Sequence, residues 1–211
     1  KNEGGCTCIA TIGDMVILGT TEGLIPVFDV NTQRPLSLWQ AGNCLDIMNS
    51  LSIECIASKS TGQGEICAGF SNGRASNFDI RVGEITCLPP LHDGSIKSLR
   101  YFDDNCIISG GSDKKVKVWD RRKGFYVPLQ IHSGFREEIS GIYPVGHHVI
   151  VTAGARMKVL DLHSDEEDNR KKPFKLRNAQ GAKESSSIAG ISVMGLSEML
   201  LLSNEEGNIY S

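Results

Sequence analysis

Residues 109–120 decide how this chain folds, and they read S-G-G-S-D-K-K-V-K-V-W-D. Two strand-forming runs flank a short polar turn, so the stretch predicts a β-hairpin. Weaker copies of it recur, each ending in an aromatic residue or leucine followed by Asp. The residues before those Asp residues are Phe28, Phe78, Trp119 and Leu160, at intervals of 50, 41 and 41 residues. A fifth copy, L-L-L-S-N-E-E-G-N-I-Y-S, occupies residues 200–211. The chain is therefore predicted to be a repeat protein.

Each repeat has the same predicted internal order. An apolar first strand is followed by a polar turn, a second apolar strand and a tight turn with Gly or Asn. A third strand ends near Asp, and a less regular fourth strand comes last. First strands are predicted at residues 6–12, 53–59, 96–102, 139–145 and 188–194, and fourth strands at 36–40, 84–89, 126–132 and 173–177. No sustained helical periodicity is present.

Four antiparallel strands per repeat predict an all-β propeller, in which neighbouring blades cover each other's apolar faces. We predict about five blades in a single domain that spans residues 1–211. Their expected bounds are 6–42, 52–91, 95–133, 138–178 and an incomplete 187–211.

The composition is that of a globular protein, with 40% hydrophobic and 22% charged residues among 211. A net charge of −3 argues against a generally cationic surface for nucleic acid or membranes. No apolar run approaches the ~18 residues of a membrane span. Seven cysteines scattered through apolar stretches indicate free thiols in a reducing compartment, so we expect an intracellular protein, cytoplasmic or nuclear. Because the last repeat stops short, we also expect the chain to be part of a longer polypeptide.

Residues 91–120, L-H-D-G-S-I-K-S-L-R-Y-F-D-D-N-C-I-I-S-G-G-S-D-K-K-V-K-V-W-D, resemble the WD-repeat family, also called β-transducin-like repeats. The resemblance implies a buried hydrogen-bonded tetrad of His92, Ser109, Asp113 and Trp119. It also implies a propeller that commonly has seven blades, of which this chain would supply a part. At the position of Asp113, the first, second and fifth repeats have Glu22, Asn72 and Glu206. Only the third repeat matches in full, so the other blades are expected to depend on apolar burial.

Several patterns mimic catalytic or metal sites. Residues 69–73 match G-x-S-x-G, but a predicted strand follows, whereas a nucleophile elbow needs a helix there. Ser109, His92 and Asp113 spell a catalytic triad, but they are expected to be buried in the blade. Cys6 and Cys8 lack partners at zinc-ligand spacing, and the histidines His147, His148 and His163 make a poor ligand set. We therefore expect no catalytic residue, no metal and no cofactor.

The family resemblance implies a noncatalytic scaffold that recruits proteins or peptides through loops on the propeller rim. Candidate partner-binding residues on that rim are Thr21, Glu22, Asn72, Arg74, Lys114, Lys115, Phe135, Arg136, Glu137 and Arg156. Phe and Arg are typical interface anchors when exposed, although Phe135 can instead pack against the neighbouring blade. Expected partners are other proteins in a larger assembly, with no direct nucleic acid and no membrane span.

Two alternative functions remain open at this point. A ligand-binding or enzymatic propeller would have its site in the central channel, where no titratable groups align from repeat to repeat. A lipid- or membrane-coat-associated propeller would use the basic cluster at residues 170–177, whose acidic neighbours weaken it.

Overall fold

The computed structural model describes residues 4–40, 51–59, 64–162, 174–175, 187–194, 199–204, 206 and 209–210. The strands in these residues form four four-stranded sheets and one three-stranded sheet. Each strand pairs antiparallel with the strand beside it in its sheet. The prediction of an all-β fold built from repeated four-stranded antiparallel sheets is confirmed.

The sheets follow one another along the chain. The first contains β1 (Cys6–Ile12), β2 (Met15–Thr20), β3 (Leu24–Asp29) and β4 (Pro35–Gln40). The second contains β5 (Ile53–Ser58), β6 (Glu65–Phe70), β7 (Ala75–Asp79) and β8 (Glu84–Cys87). The third contains β9 (Ile96–Tyr101), β10 (Cys106–Gly111), β11 (Val116–Asp120) and β12 (Gln130–His132), with a 3-10 turn at Arg121–Lys123. The fourth contains β13 (Gly141–Val145), β14 (His148–Ala153), β15 (Arg156–Asp161) and β16 (Phe174–Lys175). The fifth contains β17 (Ile188–Met194), β18 (Met199–Asn204) and β19 (Ile209–Tyr210).

The predicted strands at 53–59, 84–89 and 96–102 end one or two residues early, and two others begin later than the sequence pattern indicates. The fourth strand of the third repeat, predicted from residue 126, comprises only Gln130–His132. Tyr126 projects into solvent with 83% of its surface exposed, and Pro128 has no N–H group to donate to the ladder. The first strand of the fourth repeat, predicted from residue 139, begins two residues later. There the N–H of Ile139 donates to the carbonyl of Gly111 in the preceding sheet instead.

The hydrophobic core lies between consecutive sheets rather than within any one of them. Three clusters of buried side chains fill the first three junctions. Their members include Ile17 with Phe78, Ala75 with Trp119, and Val116 with Leu160. Because each cluster takes residues from two sheets, no sheet can bury its apolar faces without its neighbours.

A close backbone approach recurs at these junctions. In the second strand of each of the first three sheets, a glycine lies against the isoleucine that precedes or begins the next sheet. The pairs are Gly19 with Ile53, Gly69 with Ile96, and Gly110 with Ile139. A Cβ added at these glycines would lie 2.7, 2.9 and 2.5 Å from the isoleucine Cγ2. The missing side chain therefore sets how closely successive sheets pack.

The outward face of the first sheet is the least covered apolar surface in the described residues. Ile9, Leu36 and Leu38 are 64%, 53% and 65% exposed and belong to none of the three clusters. Phe28 occupies the position that a fully buried Trp119 holds in the third sheet, yet it is only half-buried. This sheet therefore has less burial to stabilise it than the second and third sheets.

We predict that Gly110→Ala destabilises the protein by about 1–3 kcal/mol, because the new methyl group must displace Ile139 or its backbone. Urea unfolding monitored by tryptophan fluorescence measures this change. Gly5→Ala is the matched control, since a Cβ there meets nothing closer than Thr21 Cγ2 at 3.9 Å. Equal stability of the two variants would contradict the close-packing account.

Candidate functional site

One end of every sheet forms a continuous rim. Strand order brings the turns between second and third strands to the same end as the loops that precede the first strands. Backbone hydrogen bonds join the turns of the second, third and fourth sheets to the loop before the next sheet. They run from Leu91 N to Gly73 O at 2.9 Å, from Ile139 N to Gly111 O at 3.3 Å, and from Ile188 N to Gly154 O at 2.9 Å. The rim is thus fixed by the same junctions that hold the core.

A buried polar network lies directly beneath the rim of the third sheet. His92 precedes β9, Ser109 lies in β10, Asp113 lies in the β10–β11 turn and Trp119 lies in β11. His92 Nδ1 lies 2.9 and 3.0 Å from the two carboxylate oxygens of Asp113. His92 Nε2 lies 2.7 Å from Ser109 Oγ, to which Trp119 Nε1 donates at 2.8 Å. The structure therefore brings all four residues of the implied tetrad together.

The hydrogen-bond pattern assigns the protons in this network. The Trp119 N–H donates to Ser109 Oγ, the Ser109 hydroxyl donates to His92 Nε2, and Nδ1–H donates to the Asp113 carboxylate. Burial lowers the pKa of His92 because it disfavours the imidazolium, although the Asp113 carboxylate acts in the opposite direction. A neutral imidazole satisfies every group in the network.

The tetrad has a structural role. Ser109 and the side chain of His92 are fully buried, so this Ser–His–Asp set offers no accessible nucleophile. Gly111 makes the network possible, since a Cβ there would lie 2.7 Å from His92 Nδ1. Its equivalents in the first and second sheets, Thr20 and Phe70, carry side chains. The second glycine of the G-G pair at 110–111 is therefore the sequence signal that this position must lack a side chain.

A groove of about 440 Å³ lies on the rim where the third, fourth and fifth sheets meet. Its charged lining comes from Lys114, Arg136, Glu137 and Glu138, and Ser140 and Ile188 are also part of the lining. Lys114 and the three loop residues are exposed. The structure thus brings together three of the residues predicted for the rim, namely Lys114, Arg136 and Glu137.

Phe135, in the loop before the fourth sheet, points towards the hydrophobic core. Phe135 is half-buried and packs against the cluster between the third and fourth sheets. The Lys158 ammonium lies 5.6 Å from the centre of the Phe135 ring, a cation–π contact. Burial lowers the pKa of Lys158. Of the two readings of this residue, the structure has Phe135 packed against the neighbouring sheet rather than exposed as an anchor.

The remaining predicted rim residues lie outside the groove lining. Thr21 and Asn72 are exposed, whereas Glu22, Arg74 and Arg156 are half-buried. Lys115 Nζ lies 3.7 Å from Asp93 Oδ2, so it pairs within its own sheet's rim. These residues extend the rim around the other sheets.

Sequence reasoning missed a set of residues at the start of the first strands. β-Bulges there leave Thr7, Glu54, Lys97 and Ala189 out of the strand pairing. Two of these residues, Glu54 and Lys97, are titratable and hold the same position in consecutive sheets. Lys97 Nζ lies 3.3 Å from Glu54 Oε2 and joins the second sheet to the third. A bulge breaks the two-residue alternation from which the orientation of a strand residue is predicted. Glu54 and Lys97 each follow the first isoleucine of their sheet, and this shared position was a usable sequence signal.

The other chemical motifs have structural explanations. Ser71 of G-x-S-x-G lies in the turn between β6 and β7, where no helix follows. Within the described residues, no group of three His, Cys, Asp or Glu side chains could hold a metal ion. The cysteines described there are free thiols, and burial raises the pKa of Cys67 to about 12. Cys44 and His163 lie outside the described residues.

Repeated four-stranded antiparallel sheets that pack face to face define this protein as a β-propeller. No family model matches the chain. Protein GFS12 of Arabidopsis thaliana is 26% identical to it over 212 residues, which cover 93% of the chain and 13% of that protein. The WD repeat-containing protein JIP5 of Vanderwaltozyma polyspora is 29% identical over 114 residues, which cover 53% of the chain and 19% of that protein.

The crystal structure of RRP9 WD40 repeats superposes with a TM-score of 0.74 at 10% identity, over 99% of this chain and 76% of that one. Further curated relatives are also named as WD repeat-containing proteins. These relatives and solved structures support a WD-repeat β-propeller family for the chain. It spans only 13% and 19% of the lengths of GFS12 and JIP5. Protein binding is a general property of WD-repeat domains.

Among the described residues, no helix is long and apolar enough to span a membrane.

We predict that Ser109→Ala destabilises the protein by about 1–3 kcal/mol, because His92 Nε2 and Trp119 Nε1 lose their shared partner while buried. The second sheet has Ala68 and Phe78 at the equivalent positions, both buried. The double variant Ser109→Ala/Trp119→Phe should therefore cost about 1 kcal/mol less than the two single changes added together. Urea unfolding followed by circular dichroism measures all three variants, and additive costs would contradict the network.

Proposed function

We propose that this chain is a noncatalytic scaffold that recruits partner proteins or peptides through its rim, with the groove between the third, fourth and fifth sheets as the main contact. The general protein-binding role of WD-repeat domains supports this proposal. The main structural observation behind the proposal is the groove on the rim. Its volume of about 440 Å³ suits several side chains of a bound segment, since ligand pockets span about 300–1,000 Å³.

The charges of the groove support a recognition role. The side chains of Arg136, Glu137 and Glu138 make no hydrogen bond or ion pair with any other residue that the structure describes. Their backbone is nevertheless held, by the packing of Phe135 and by the bond from Ile139 N to Gly111 O. The fixed backbone lowers the cost of ordering the loop on binding, and the unpaired charges are available to complementary charges of a specific partner.

The proposed partners are other proteins, met within a larger assembly and without direct contact to nucleic acid. The net charge of −3 supports the second point, since no general cationic surface is available. The rim residues of the first two sheets, such as Thr21 and Asn72, extend the same face and would widen the contact. Noncatalytic scaffolding is also the general role of related WD-repeat propellers.

The two alternative functions have less support. Glu54 and Lys97 hold the same bulge position in consecutive sheets, but they form an ion pair with each other at 3.3 Å, so neither charge is left unpaired for a ligand. The basic cluster at 170–177, on which membrane attachment would depend, lies almost wholly outside the described residues. Neither alternative gains support from the relatives that the chain resembles.

We predict that Arg136→Glu weakens partner binding by at least about tenfold, because it reverses a charge in the groove. The probe is a peptide selected from a random phage-displayed library against the immobilised wild-type chain, and fluorescence anisotropy measures its dissociation constant. Arg34→Glu is the matched control, since Arg34 is an exposed arginine in the β3–β4 turn at the opposite end of the first sheet.

The control should bind within about twofold of the wild type, and both variants should melt within about 2 °C of it. Equal losses in both variants, or a wild-type chain that selects no peptide, would contradict the proposed function of the groove.

A further inference from the structure

Lys114, which lines the groove, has a backbone conformation that favours glycine. Glycine occupies the equivalent position in the first two sheets. The third residue after the last residue of β10 is Lys114, in the left-handed region with a φ of +61°. The first and second sheets have Gly23 and Gly73 at this turn position, with φ values of +74° and +80°. A side chain is disfavoured in this region because its Cβ approaches a backbone oxygen. The third sheet alone among these three places a long side chain there.

The surroundings explain why glycine is required in the first two sheets. A Cβ at Gly23 would lie 2.7 Å from Leu51 O, and one at Gly73 would lie 2.1 Å from His92 O. In both cases the loop before the next sheet lies directly on the turn. Lys114 carries a Cβ at this position, so the corresponding loop leaves room for one, and turn and loop both line the groove.

The Lys114 side chain crosses that space. Its Nζ donates to the backbone carbonyl of Arg136 at 3.0 Å, 22 residues along the chain. Lys114 thus adds a side-chain link between turn and loop, beside the backbone bond from Ile139 N to Gly111 O at the same junction. Strained residues that persist in a fold often mark functional sites.

We propose that Lys114 is a positioning residue: it holds the loop at residues 134–138 away from the β10–β11 turn and so keeps the groove open for a partner segment. The inference rests on the proposed function for the partner, but the spacing role concerns this chain alone. Glycine at position 114 would relieve the strain of the left-handed backbone conformation. It would also remove the hydrogen bond from Lys114 Nζ to Arg136 O, the one side-chain bond from this turn to the loop among the described contacts.

The charges of the groove define the partner segment. Lys114 and Arg136 contribute the positive charges, and Lys114 projects from the third sheet. Glu137 and Glu138 contribute the negative charges. The Glu137 carboxylate lies against Gly154 of the fourth sheet. The segment that fits is an extended peptide with an acidic side chain towards the third sheet and a basic side chain towards the fourth.

Lys114→Gly tests the spacing role without any ligand. We expect the melting temperature to stay unchanged or rise by about 2–4 °C, because strain is relieved. Amide hydrogen exchange at residues 134–138, followed by mass spectrometry, should accelerate by about tenfold or more because the loop loses its tether. Lys114→Asn, which tolerates the left-handed region but is too short to reach the loop, should give the same exchange result.

Lys115→Ala is the matched control, since it removes the neighbouring ammonium group and leaves the bond to Arg136 intact. Its loop should exchange at the wild-type rate. A lower melting temperature for Lys114→Gly together with unchanged exchange at 134–138 would overturn the spacing role, because Lys114 would then be an ordinary stabilising residue.

Peptide selection tests the partner chemistry. Peptides enriched from the random phage-displayed library on the wild-type chain should combine acidic and basic residues, and Lys114→Gly should bind them at least about tenfold more weakly. Enriched peptides that are apolar, or that bind Lys114→Gly as well as the wild type, would overturn the inference while leaving the scaffold function standing. If the wild type enriches no peptide, the proposed function fails, and amide exchange still decides the spacing role.

Discussion

The first four sheets of this protein can pack only as closely as a glycine in one allows an isoleucine of the next to approach. Gly110 and Ile139 are the clearest pair, since any side chain at the glycine would overlap the isoleucine. The core clusters lie in these junctions, and the backbone bonds of the rim cross the same junctions. A rim built in this way is rigid because it shares its supports with the core, which is what a binding surface made of loops requires.

The third sheet combines this packing with a polar network that no other sheet has in full. Buried polar groups stabilise a fold only when each has a partner, and here a neutral His92 allows Ser109, Asp113 and Trp119 all to be paired. The network fixes the β10–β11 turn from below. The same turn then tolerates Lys114 in a conformation that favours glycine, and the groove lies directly beside it.

The sequence predicted the parts of this molecule that depend on local pattern. The repeat interval, the bounds of β1 and the members of the tetrad follow from residue type and spacing. Phe135 could not be assigned from the sequence, because its burial depends on how close the next sheet lies. The same holds for Lys114, whose role depends on the distance from its turn to a loop 22 residues away.

Features that break a regular pattern were also missed. A bulge shifts Glu54 and Lys97 out of the strand alternation, so their facing could not be derived from a two-residue period. The fourth strand of the third sheet is shorter than its apolar sequence suggests, because Pro128 and the exposed Tyr126 leave the ladder. Such departures are set by tertiary packing, which outweighs intrinsic strand preference.

Amide hydrogen exchange across the whole chain tests most directly whether packing between sheets stabilises this fold. β10 and β11 are covered on both faces, whereas β2 and β3 belong to the sheet whose outward face is the least covered. The account predicts that amides of β10 and β11 exchange at least about tenfold more slowly than those of β2 and β3. Equal protection of the two pairs of strands, or slower exchange in β2 and β3, would contradict it.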